Sequence, residues 1–161
     1  MDTDPKIREQ LVKLLNQGRA FTPLPELLRT VPYEVAGVHM DGFSHTVWEL
    51  MEHIRIALHD LVEYSKDSTF QSPPWPEGYW PEHSEPDSRK AFLESIEQIL
   101  TLQQEMISLV QDPANDLFEP FQANPAHNLF RQATIAAEHT AYHGGQLAML
   151  STAIERKNGK A

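Results

Sequence analysis

The sequence predicts an all-α fold, a four-helix bundle built as a single domain over residues 1–161. Three observations point there. Four long segments repeat apolar residues at helical spacing. Strand signals are weak. A chain of 161 residues is long enough to bury one real core.

The first segment runs from about Pro5 to Gly18. Ile7, Leu11, Leu14 and Leu15 form its stripe, and "NQG" ends it on a glycine. "PLPELLRTV" follows as one or two turns, with Pro25 as a starter. "YEVAGVHM" reads as a short extended connector. The second long helix is expected from the cap residue Ser44 to about Tyr64, with Val47, Leu50, Met51, Ile54, Leu58, Leu61 and Val62 inward. The third begins between Ser84 and Asp87, where "SEPD" has the form of a helix start. Phe92, Ile96, Ile99, Leu100, Met106, Ile107 and Val110 carry it to about Gln111. The fourth starts at Asn124, with Pro125 in its first turn. Leu129, Ala133, Ala136, Thr140, His143, Leu147, Leu150 and Ile154 fall on one stripe of it.

Between the second and third helices lies "SKDSTFQSPPWPEGYWPEHSEP", too long for a tight turn. It is rich in proline and holds Trp75 and Trp80, two of the three tryptophans. A disordered linker would be poor in aromatics, so the segment is expected to pack across the bundle. The first expectation is a crossover that only covers apolar surface. The alternative is that Trp75, Tyr79 and Trp80 wall a pocket.

Composition narrows the function. The formal net charge is −10 and no basic run appears, which argues against nucleic acid and against an anionic membrane surface. No run of about eighteen apolar residues exists to span a membrane. The absence of cysteine excludes disulfides, thiolate ligands and a cysteine nucleophile. It also fits a reducing compartment. The first ten residues, "MDTDPKIREQ", lack the apolar core of a signal peptide, so a cytoplasmic location is expected.

The eight histidines are the feature to follow. His139 and His143 stand one helical turn apart, so their ring nitrogens can converge on one ion. Taken alone, the pair has two readings, metal ligands or buried polar residues with ordinary partners. Their place on the apolar stripe sharpens the question, because a buried imidazole needs its nitrogens bonded. A third ligand has to come from another helix, and His53 is the best candidate. His59 lies about 120° around the helix from His53 and is read as solvent-facing. His45, near the helix start, either lines the mouth of a pocket or ends the helix with no chemistry. His39 and His83 fall in loops, and His127 is too far along the helix to share an ion with His139.

Gly144 and Gly145 weaken the helix around His143. A close helix crossing is the first explanation, and room beside His143 the second. Glu49, Glu52 and Glu138 are near enough in sequence to support the imidazoles, although a solvated helix face explains each one separately. Gln146 can serve a ligand or bridge helices.

Three stretches together, "GFSHTVWELMEHIRIALHDLVEYS", "SPPWPEGYWP" and "AEHTAYHGGQLAML", resemble the DinB-like superfamily, also called DinB/YfiT. The resemblance runs from about Leu11 to Leu150. It implies an up-down-down-up bundle with the long crossover between helices two and three. It implies a divalent transition metal such as zinc or nickel on three histidines, matched here by His53, His139 and His143. It also implies reactions of hydrolase type or transfers that use a low-molecular-weight thiol, on small-molecule substrates, and a homodimer.

A metal on three neutral imidazoles keeps its charge and an open position, which suits generation of a nucleophile near neutral pH. His45, Glu49 and Glu52 are then the candidates for orienting groups or moving protons. The competing expectation is a non-catalytic helical binding module stabilised by its metal.

Overall fold

The computed structural model describes residues 4–16 and 21–159. These residues form five α-helices and no strand. They are α1 (Asp4–Leu15), α2 (Leu24–Thr30), α3 (Val47–Lys66), α4 (Arg89–Gln111) and α5 (Leu129–Lys157). Single 3-10 turns occur at Tyr33–Val35 and Glu77–Tyr79. The first of these lies in the stretch expected to be extended. The expected glycine stop at Gly18 lies outside the described residues.

The apolar stripes become the core. Every residue expected inward on α3 and α5 is buried, and so are those of α4 except the half-buried Leu100. On α1, Leu11 and Leu15 are buried but Leu14 is 57% exposed, one position off the stripe. Fully buried side chains such as Leu28, Met51, Ile54, Phe92 and Leu147 stabilise the fold by about 1.5–3 kcal/mol each before entropy is counted. α3 packs on α4 and α5, and α1 closes against the same two helices. The short α2, entered through Pro23 and Pro25, rests on α5.

Polar contacts join the helices at chosen points. Arg8 of α1 donates to the carbonyls of Val110, Asp112 and Asn115. A guanidinium there satisfies the orphan carbonyls at the end of α4 and complements its dipole. Gln103 of α4 donates to the Leu15 carbonyl. On the facing side, Ser95 of α4 donates to Glu52 of α3, and Lys66 of α3 meets Glu105 of α4.

The helix starts differ from the sequence expectation in a consistent way. α3 is capped by Thr46 instead of Ser44, in a full capping box with Glu49. α4 is capped by Ser88, while the carbonyl of Ser84 accepts from the Thr46 hydroxyl. α5 is capped by Asn128. Asn124 instead folds a turn, its side chain accepting from Ala126 N and its carbonyl from His127 N. Turn-forming and capping side chains use the same hydrogen bond, so the sequence offers both sites and packing selects one.

Gly144 and Gly145 do not mark a close helix crossing. A β-carbon built on either meets nothing within 4 Å. Gly144→Ala and Gly145→Ala are each expected to raise stability by up to about 1 kcal/mol, because alanine restricts the unfolded chain and favours helix. Urea denaturation of the two variants measures this. A loss of stability would mean that something packs against that face in solution.

Candidate metal centre

Three histidines from two helices meet. His53 Nε2 lies 3.1 Å from His143 Nε2 and 3.0 Å from His139 Nε2. One nitrogen from each of the three lies within 4.8 Å of the others. His53 and His143 are buried and His139 is half-buried. The group is held where α3 and α5 pack together.

The outer nitrogens decide what the inner ones can do. His53 Nδ1 is 2.7 Å from the Tyr79 carbonyl oxygen. That oxygen only accepts, so Nδ1 carries the proton and Nε2 of the neutral ring presents a lone pair. His143 Nδ1 is 2.7 Å from Gln146 Oε1, which commits that ring in the same way. Two lone pairs then face each other at hydrogen-bond distance with no proton between them. A cation at the point of convergence resolves this, so the donor set fits a metal.

Charge agrees. Burial pushes the His139 pKa from its ordinary 6.5 down to about 3, with His143 and His53 adding to the shift. Burial also lowers His53 and His143. All three rings are therefore neutral near pH 7, the form that ligates.

The crossover does more than cover apolar surface. Trp80 stacks on His53 at a centroid distance of 4.0 Å with the planes 5° apart. It stacks on His45 at the same distance. Tyr79 supplies the carbonyl to His53, and its hydroxyl donates to Asp60 Oδ2 at 2.7 Å. Sequence reading could not find the Tyr79 carbonyl, since a backbone acceptor leaves no residue-type signal. Asp60 was missed as one more acidic residue of a helix.

The remaining candidates separate. His45 sits just before α3, half-buried, with Nδ1 3.8 Å from Glu49 Oε2. Glu49 accepts from Thr46 N in the capping box. Glu52 was expected on a solvated face, but it is buried. It accepts two bonds from Arg55, at 2.9 and 2.7 Å, and a third from Ser95. Glu138 is exposed, as are His39, His59 and His83. His127 lies outside α5 and is bound by Tyr64 and Asn124.

The depressed histidines tie stability to pH. Each ring stays neutral when folded and takes up a proton when unfolded below pH about 6.5, so the unfolded chain binds more protons in acid. Their contribution is whole above that pH and declines as pH falls toward the folded values. Chelator-treated protein should therefore lose stability between pH 7 and 5, by at most about 1.4 kcal/mol per pH unit per histidine. His139→Gln should flatten the profile in urea denaturation. An unchanged slope would show that His139 titrates as an ordinary histidine.

Comparison with known proteins covers both helices of the triad. The family model of the DinB superfamily matches residues 18–147, which takes in the crossover and all three converging histidines. No curated protein and no solved structure matches the chain. No described helix is long and apolar enough to cross a membrane. On the extent of that match, the chain belongs to the DinB superfamily.

Proposed function

We propose that the chain is a metal-dependent enzyme, a hydrolase or a transferase using a low-molecular-weight thiol. Its divalent transition metal, zinc or nickel, is held by His53, His139 and His143. The observation that carries this reading is the convergence of three Nε2 atoms, two of them on rings whose Nδ1–H is already committed. Neutral imidazole suits both metals. When bound, such an ion supplies Lewis acidity and lowers the pKa of a water or thiol at an open position. No fourth His, Cys, Asp or Glu joins the group among the described residues, which favours an open position over a closed structural site. That observation sets the enzyme ahead of a non-catalytic module in which a metal only ties α3 to α5. Without cysteine in the chain, any thiol comes from a cofactor or substrate.

The residues around the triad take distinct parts in this reading. Trp80 and the Tyr79 carbonyl orient His53, and Gln146 orients His143. His45 is the candidate to hold or move a proton, steadied by Trp80 and facing Glu49. Glu49 acts through His45. Glu52 is already saturated by Arg55 and Ser95, which suits a positioning residue that fixes α3 on α4.

The four long helices are proposed to run up-down-down-up in a single domain. Arg8 reaches the end of α4 while Leu15 meets its middle, as antiparallel helices would. Glu52–Ser95 and Lys66–Glu105 pair early with early and late with late on α3 and α4, as parallel helices would. His53–His143 and Tyr64–His127 pair α3 with the opposite sense of α5. A small-molecule substrate, a cytoplasmic location and no role for nucleic acid or membrane belong to the same proposal. So does a homodimer, for which the exposed Tyr142 and Met149 on α5 offer an apolar surface.

Plasma mass spectrometry of untagged protein, purified without chelator, tests the reading. Wild type should carry about one equivalent of zinc or nickel. His53→Ala, His139→Ala and His143→Ala should each lose at least about tenfold in affinity, and Gln146→Ala less. Wild type that takes up no metal, even after reconstitution, would sink the metalloenzyme reading.

A further inference from the structure

Beside the triad lies a cavity of about 370 Å³, walled by α3, α5 and the crossover. That is enough for a small organic molecule. Its lining changes character along its length. His139 brings it to the metal centre, while Arg131 stands eight residues earlier on α5, about 12 Å along the helix. Tyr64, Trp75 and Ile135 line it with ring and apolar surface. Trp75 is 74% exposed, so it serves as a wall open to solvent and not as core.

Two charged groups in this lining are underused. Asp60 is only 9% exposed, and its Oδ2 accepts from the Tyr79 hydroxyl, yet its buried Oδ1 has no partner among the described residues. Three buried side-chain polar atoms lack partners among the described residues, and two of them, Asp60 Oδ1 and His139 Nδ1, belong to residues lining this one cavity. A buried carboxylate oxygen left unpaired costs free energy unless something donates to it. At the other end, the exposed Arg131 guanidinium makes no hydrogen bond or ion pair among the described residues. Its charge is felt at His127, another wall of the cavity.

We propose that this cavity binds an amino-carboxylate ligand, an amino acid or amino-acid derivative with an aromatic or apolar side group. Its N–H donor goes to Asp60 Oδ1, which a small turn of the side chain brings to the cavity surface, its carboxylate to Arg131, and its side group against Trp75, Tyr64 and Ile135. The identification of this ligand as the enzyme's substrate rests on the metalloenzyme reading above; the binding site does not. Opposite charges at separate points of an apolar cavity select a ligand carrying both signs, because each end leaves a partner unpaired when the matching group is missing.

Three probes share one phenyl skeleton and isolate the two ends. L-Phenylalanine has both groups, 3-phenylpropionate lacks the amine and phenethylamine lacks the carboxylate. An NMR titration following the Trp75 indole N–H, assigned with Trp75→Phe, reports binding. L-Phenylalanine should bind at least about tenfold more tightly than either analogue. Asp60→Asn should remove the preference over 3-phenylpropionate, and Arg131→Gln the preference over phenethylamine. Arg131 is exposed, so its variant tests the proposal even if Asp60→Asn weakens the fold. No saturable shift with L-phenylalanine up to about 10 mM would overturn the site. Equal binding of all three probes, or preferences unmoved in Arg131→Gln, would do the same. Titrating zinc-reconstituted and chelator-stripped wild type separates the two readings. Binding that persists in protein unable to hold zinc leaves this site standing while the metal reading falls; zinc uptake without L-phenylalanine binding does the reverse.

Discussion

The hydrogen bond from His53 Nδ1 to the Tyr79 carbonyl is the constraint on which the candidate centre depends. It selects the tautomer of the one imidazole contributed by α3 and turns its Nε2 toward α5. It also pins the crossover. The Tyr79 hydroxyl reaches Asp60, seven residues after His53 and on nearly the same face of α3, about 10.5 Å along the axis. One residue thus straddles two turns of a helix, bonded by its backbone at one end and its side chain at the other. With both ends fixed, Trp80 has little choice but to lie flat on His53 and His45. A long irregular segment is ordered here by a few directional bonds and a stacked ring, not by secondary structure of its own.

α5 makes room for the rings by being thin. Ala133, Ala136, Ala137 and Thr140 precede His143 on its buried side, where larger residues would fill the space between helices. The imidazoles then occupy volume that Leu or Phe would take in a dry bundle. Removing them from water favours the neutral form, and two of the three outer nitrogens are given an acceptor. Tyr79 and Gln146 provide two such acceptors. Glu52 shows the same logic elsewhere, since its buried carboxylate is tolerated because Arg55 and Ser95 surround it.

Periodicity made the helices legible because each buries one stripe, and the stripe of α5 carried His143 into view along with its leucines. The triad was legible for a related reason: ligands one turn apart on a helix, plus one from a facing helix, form a pattern in residue types. Helix starts were less so. Ser44, Ser84 and Asn124 are good caps by chemistry, and the chain uses Thr46, Ser88 and Asn128. Both sets carry side chains able to cap a helix, so residue type alone does not choose between them. Glu52 was misread because a Glu–Arg pair three apart has the same sequence on a surface as in a buried seam. The close-crossing reading of the glycine pair failed because sequence shows its cost to the helix without showing that nothing crosses there among the described residues.

The supports of the three histidines are unequal. His53 rests on a backbone carbonyl, which no substitution of a side chain removes. His143 rests on Gln146, three residues away on its own helix, so the pair moves as one body. His139 Nδ1 has no partner among the described residues. It is also the ring that lines the neighbouring cavity, where Asp60 Oδ1 is unpartnered too. Unsatisfied buried groups are costly, and two of the three among the described residues belong to residues that line this one cavity. The centre is therefore finished toward the crossover and the end of α5, and unfinished toward the cavity.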